Sequence, residues 1–194
     1  MEVLGKILGN SARVKIMRLF MVNKGKGFAG KTVAKRSRVS SPLARRELKL
    51  LSSVNFIKKR GKEWSFNPLF KYGEEFGELL VKSDGLDKSK LLDNFKKAGR
   101  VKLIIVSGVF IRNDDSRVDI LIVGDKMKKG RIEEEIHRLE AELGTELAYA
   151  LFDTKEFMYR LDMYDKLVRD ILDYPHEVVL QTKELNLVKV ARQA

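Results

Sequence analysis

The chain has no cysteine, so it can hold no disulfide, no thiolate metal site and no cysteine nucleophile. It has no apolar run near the roughly 18 residues that a bilayer span takes. Its first residues, Met1-Glu2-Val3-Leu4-Gly5, lack a basic stretch followed by a cleavable apolar one. These absences predict a cytoplasmic chain with no membrane partner. Histidine is scarce: His137 and His176 stand far apart with no ligand spacing, so no metal site is expected from them. Aspartate is missing altogether from residues 1–82.

That last absence exposes the charge distribution. Residues 1–82 hold 19 Lys and Arg against 6 Glu, a net +13. Residues 83–194 hold 20 Lys and Arg against 21 Asp and Glu, a net −1. The whole +12 excess of the 194-residue chain therefore lies in its first part. A basic region beside a near-neutral one implies a polyanionic partner for the basic one.

The basic region also has a readable order. Val14, Met17, Leu19, Phe20 and Met21 form an apolar stripe on a helix that Ser11 can cap. Asn23-Lys24-Gly25-Lys26-Gly27 ends that helix. Thr32 to Ser37 is a short second helix, and Arg38-Val39-Ser40 a turn. Ser41-Pro42 then opens a third helix, with serine as cap and proline in the first turn, where its missing N–H costs nothing. Ala44, Leu48 and Leu51 recur at i, i+4 and i+7 and face the core; Pro42, Arg45, Arg46 and Lys49 face elsewhere. Two strand-like runs, Asn55–Lys59 and Glu63–Asn67, flank Arg60-Gly61-Lys62 and predict a hairpin with a basic tip anchored by Trp64.

The order of helix, short helix, turn, capped helix and basic hairpin resembles the winged helix-turn-helix transcription regulators, in particular the arsenic-repressor-like group. The likeness is carried by Ser41–Leu51, Val54-Asn55-Phe56-Ile57 and Arg60-Gly61-Lys62. It implies double-stranded DNA as partner. A helix fits the major groove, where Arg or Lys reaches guanine edges, while a basic tip lies along the backbone or minor groove. Arg45, Arg46 and Lys49 then belong to the groove-facing helix, and Ser40 and Ser41 to phosphates at its N-terminus. Lys58, Arg60 and Lys62 belong to the wing. The metal-sensing cysteines of the arsenic-responsive members have no counterpart here.

One motif competes. Gly25-Lys26-Gly27-Phe28-Ala29-Gly30-Lys31-Thr32 satisfies the phosphate-loop pattern letter for letter. Such a loop must follow a buried strand and open a sturdy helix. Here a helix is predicted before it and only a short helix after it, so a basic loop between helices is expected instead.

The second region alternates elements: a helix over Lys88–Ala98, buried strands over Val101–Ile111 and Val118–Val123, a helix over Arg131–Leu143, a strand over Glu146–Phe152, a helix from Thr154 and a short strand over Val178–Gln181. Gly108 after the first strand, the polar turn Arg112–Ser116 and the run Arg117–Val123 look like the minimal nucleotidyltransferase fold. Thr154–Leu172, with Glu156-Phe157 and Arg160, adds to the likeness. In that family, Gly-Ser lets phosphate approach the backbone, and three carboxylates on two strands hold two Mg²⁺ ions. The departures are large. Ser107 precedes Gly108, Arg117 replaces the first acid, only Asp119 remains, and Ala148 fits the third position better than Glu146. Asp114, Asp115 and Asp125 lie on turns.

The chain is therefore expected to be a two-domain α+β protein. Residues 1–82 form a winged helix, and residues 83–194 an α/β, nucleotidyltransferase-like mixed sheet with helices. It is read as a transcription regulator and not an enzyme, with no cofactor. Its second domain would serve homodimerisation or the sensing of a nucleotide or small-molecule effector, and Gly108 and Asp119 would mark a vestigial nucleotide site. The alternatives are a Mg²⁺-dependent nucleotidyltransferase that binds substrate with its winged helix, and an adaptor whose basic domain binds protein.

Overall fold

The computed structural model describes residues 3–82, 94–113 and 115–185. The start of the helix expected from Lys88 lies outside them, as does Asp114. The structure is mixed α and β, with one three-stranded and one four-stranded sheet. It divides into two compact units, residues 1–85 with 136–146, and residues 86–135 with 147–194. No helix of the described residues is long and apolar enough to cross a membrane.

The first unit opens with α1 (Val3–Ile7) and α2 (Ser11–Val22). Asn10, one residue earlier than expected, caps α2: its side chain accepts from the Ala12 N–H at 2.9 Å. The buried surface of α2 is wider than one stripe, because Ile16 and Arg18 are buried beside Val14, Met17, Leu19, Phe20 and Met21. Arg18 donates to the Leu80 and Glu142 carbonyls, and the Asn23 amide to the Leu19 and Gly144 carbonyls. The backbone at 142–144 thus lies against α2 within this unit. Gly144, at φ +78°, has no room for a Cβ beside the Arg18 and Leu19 backbone.

A two-residue strand, β1 (Phe28–Ala29), precedes α3 (Gly30–Arg36). Next comes α4 (Ser41–Ser53), with Ala44, Leu48 and Leu51 buried as their spacing predicts. Burying two leucines contributes roughly 1.5–3 kcal/mol each. Asn55, at φ +60°, ends α4 in a left-handed turn, and the Phe56 N–H bonds the Leu51 carbonyl. The hairpin is β2 (Ile57–Arg60) and β3 (Glu63–Phe66), joined by Gly61-Lys62 with Gly61 at φ +58°. The sheet order is β1-β3-β2, all antiparallel. Phe56 is fully buried and meets Phe66, Phe70 and Phe76 edge-on, with ring centroids 5.2–6.3 Å apart. After the hairpin comes α5 (Gly73–Gly77), continued by a wider π-helical turn over Glu78–Lys82.

In the second unit β4 (Arg100–Val106) is shorter than the expected strand, because Gly108–Phe110 turns into a 3₁₀ helix. The other strands are β5 (Ile120–Asp125), β6 (Tyr149–Phe152) and β7 (Glu177–Gln181). Their order is β6-β5-β4-β7; only the β5–β6 pair is parallel. The helix α6 (Lys129–Leu143) contains the boundary between the units, at 135/136. Next come α7 (Thr154–Asp162) and α8 (Lys166–Asp173). Phe157, Val168 and Ile171 from these helices join Leu103, Ile105, Leu121 and Val123 from the sheet in one core. Lys102 is buried on β4 but paired, 2.9 Å from both Asp125 and Glu184. Its two partners hold the ammonium above its ordinary value. The Thr154 side chain and then Lys102 pull Asp125 down to about 2.

Candidate nucleic-acid interface

Helix α4 packs on α2, α3 and β2, which leaves one face outward. Ser41, Pro42, Arg45, Arg46 and Lys49 are all exposed on it. Ser40 is the N-cap residue, in extended conformation, but its side chain makes no capping bond; Ser41 is the first helical residue. Both hydroxyls therefore stay at an exposed helix N-terminus, where backbone N–H groups and the helix dipole favour an anion.

The hairpin carries the second group. Lys58 is half-buried, while Arg60 and Lys62 are exposed. Residues paired across an antiparallel ladder share a face. Ile57 pairs Phe66 and Lys59 pairs Trp64, so these four line one side, and Lys58, Ser65, Arg60 and Glu63 the other. Lys59 lies over the Trp64 ring, 5.5 Å from its centroid, and Trp64 packs against the core. Lys59 was not singled out from sequence. The signal available was its position opposite Trp64. Glu63, opposite Arg60, brings an acid to the otherwise basic tip.

Glu47 is the residue that the sequence reading missed most clearly. Its side chain is 1% exposed on the inner edge of α4. Oε2 accepts from Arg13 Nε at 2.8 Å, and Oε1 from Asn10 at 3.1 Å and from Arg46 at 3.4 Å. Burial pushes this carboxyl up, but Arg13 and then Arg46 outweigh it, leaving the group below its ordinary value. The available signal was a carboxylate at 47 on the 44-48-51 stripe, which demands a buried partner.

The phosphate-loop letters do not form that loop's structure. The segment follows helix α2 rather than a buried strand, and leads through β1 into α3, only seven residues long. A Cβ at Gly27 would meet the end of the exposed Glu63 side chain, which can swing aside.

The second candidate site is used up internally. Asp119 Oδ1 accepts from the Val109 N–H at 2.9 Å, and Oδ2 from the Ala148 N–H at 2.8 Å. Its carboxylate thus ties the 3₁₀ turn after β4 to the entry of β6. Gly108, at φ +54°, lies so close that a Cβ would overlap Asp119 Oδ1. The Ser107 hydroxyl donates to the Val118 carbonyl. Arg117 bonds Asp170 at 2.9 Å. Ala148 is level with Asp119, and Glu146 pairs with Arg36 in the first unit at 3.4 Å. Among the described residues, no three His, Cys, Asp or Glu side chains group to hold a metal ion. An open cleft of about 920 Å³ lies nearby, but Ile111, Arg112, Asn113, Asp115, Pro175, His176 and Glu177 line it, not Gly108 or Asp119.

Comparison with known protein families, curated proteins and solved structures gives no match for this chain.

Proposed function

We propose that the chain is a transcription regulator that binds duplex DNA through a winged helix in its first 82 residues. One observation carries this: α4 turns Arg45, Arg46 and Lys49 outward, packed beside a hairpin with a basic turn, in the region that holds a net +13. An exposed cationic helix suits the major groove, and a basic hairpin suits the adjacent backbone. The second region has nucleotidyltransferase-like character and serves homodimerisation or the sensing of a small-molecule effector. Its surviving acid, Asp119, is engaged with two backbone N–H groups, which supports a binding role for this region over nucleotidyl transfer.

The test is binding of the full chain to duplex DNA across a salt series. Affinity should fall steeply as salt rises, because bound cations release counterions. Arg45→Ala should cost about 1–3 kcal/mol on a preferred sequence and relax the preference; Lys62→Ala should weaken all sequences alike. Neither should move the thermal midpoint measurably, since both side chains are exposed. Salt-independent binding, or equal small losses at every position, would exclude α4 as the reader.

A further inference from the structure

Arg46 is an outward cation of α4 that a buried acid is seen to hold. Glu47 is fixed from behind: Arg13 and Asn10 both bond it, Asn10 also caps α2, and Arg13 Nη1 donates to the Leu8 carbonyl. The carboxylate is therefore a rigid point, set by the corner between α1 and α2. Arg46, whose side chain is 71% exposed, reaches this point through Nη2 alone. Its remaining N–H donors stay free of that bond.

We propose that Glu47 is a positioning residue for DNA recognition: it orients the Arg46 guanidinium for a guanine edge and so supplies sequence discrimination rather than affinity. The inference rests on the DNA-binding function proposed above. In free protein, a 3.4 Å contact to an exposed arginine is weak, because water screens it. Docked against DNA, the same pair loses its water and strengthens. A guanidinium held at one nitrogen has fewer orientations to lose when it pairs with a base. A lysine has no second nitrogen to share. Phosphate contacts need only charge, so they gain nothing from this anchoring.

The full chain is first used to select duplexes from a random pool. Discrimination is then the ratio of dissociation constants for a scrambled and a selected duplex at one salt concentration. Glu47→Gln keeps the shape at position 47 and removes the charge. It should lower the ratio about tenfold, with scrambled-duplex affinity unchanged or slightly higher. In an Arg46→Ala background the same substitution should change the ratio less than about twofold, since the group it orients is gone. A merely structural role would give the same loss in both backgrounds, and that result overturns the inference, as does an unchanged ratio in the parent. Should Glu47→Gln fail to fold, Arg46→Lys decides. It keeps the surface charge and should lose discrimination as fully as Arg46→Ala; retained discrimination overturns the inference. Absence of duplex binding by the unsubstituted chain is seen before any variant is made, and overturns the DNA-binding function itself.

Discussion

Two sets of polar residues in this chain, both suggested by motif resemblance, meet opposite fates. On α4, Arg45, Arg46 and Lys49 project into solvent while the helix is held by apolar residues behind them. After β4, Asp119 and Arg117 face groups of their own unit: two backbone N–H groups for the acid, Asp170 for the arginine. The first set is available to a partner because it stays in solvent: even Arg46, whose Nη2 lies 3.4 Å from Glu47, keeps a side chain that is 71% exposed. The second holds the turn and sheet together, so its charge is already engaged. A residue type at the right spacing thus marks a site only if the surrounding backbone leaves it uncommitted.

The sharpest way to break this comparison is at Gly108. Gly108→Ala would strain the left-handed backbone and push Asp119 off the Val109 N–H. The two effects together should cost roughly 2–4 kcal/mol of the second unit's stability, read by denaturant unfolding. A loss below about 1 kcal/mol would mean that Asp119 is free to move, and the contrast with α4 would fail.

Asp119→Ala removes the acceptor and leaves two backbone donors to find water. The expected loss is about 1–3 kcal/mol, with DNA binding nearly unchanged. Labelled NTP should not be incorporated into protein or RNA by the parent chain with Mg²⁺ or Mn²⁺. Labelling that disappears in Asp119→Ala would return this residue to the set of available ones.

The smallest effect is expected with acid. Asp125 is depressed to about 2 from 3.8, so its contribution is full above about pH 4 and fades as pH falls through 2. Glu184, lowered by Lys102 and Arg100, acts in the same direction. Lys102, raised above 10.5, weakens only at strongly alkaline pH. The thermal midpoint of the second unit should therefore drop between pH 4 and 2, and Asp125→Asn should flatten that drop. An equally steep drop in the variant would show that the Lys102 cluster is not its source.

Helix α4 was legible because its cues are local. Pro42 in the first turn and the 44-48-51 spacing need no knowledge of the rest of the chain. The hairpin was legible for the same reason, through Gly61 between two short strand-like runs. Strand β1 was not: a two-residue strand exists only by pairing with Trp64 and Glu63, far along the chain. Nor was the shortening of β4, which follows from Asp119 capping the turn after it. Glu47 could be flagged from its stripe, but its partners Asn10 and Arg13 lie 37 and 34 residues away.

The sequence by itself determined the charge division, the exclusion of thiol chemistry and the outward cations of α4. These depend on residue identity and on spacings of a few residues. Only the tertiary structure decided how those charges are used. It bound Asp119 to backbone, buried Glu47 against Arg13, and grouped residues 136–146 with the first unit through the Arg18 and Asn23 bonds. The physical reason is that a polar group's availability depends on which donors and acceptors the folded chain brings to it, and those partners come from distant sequence.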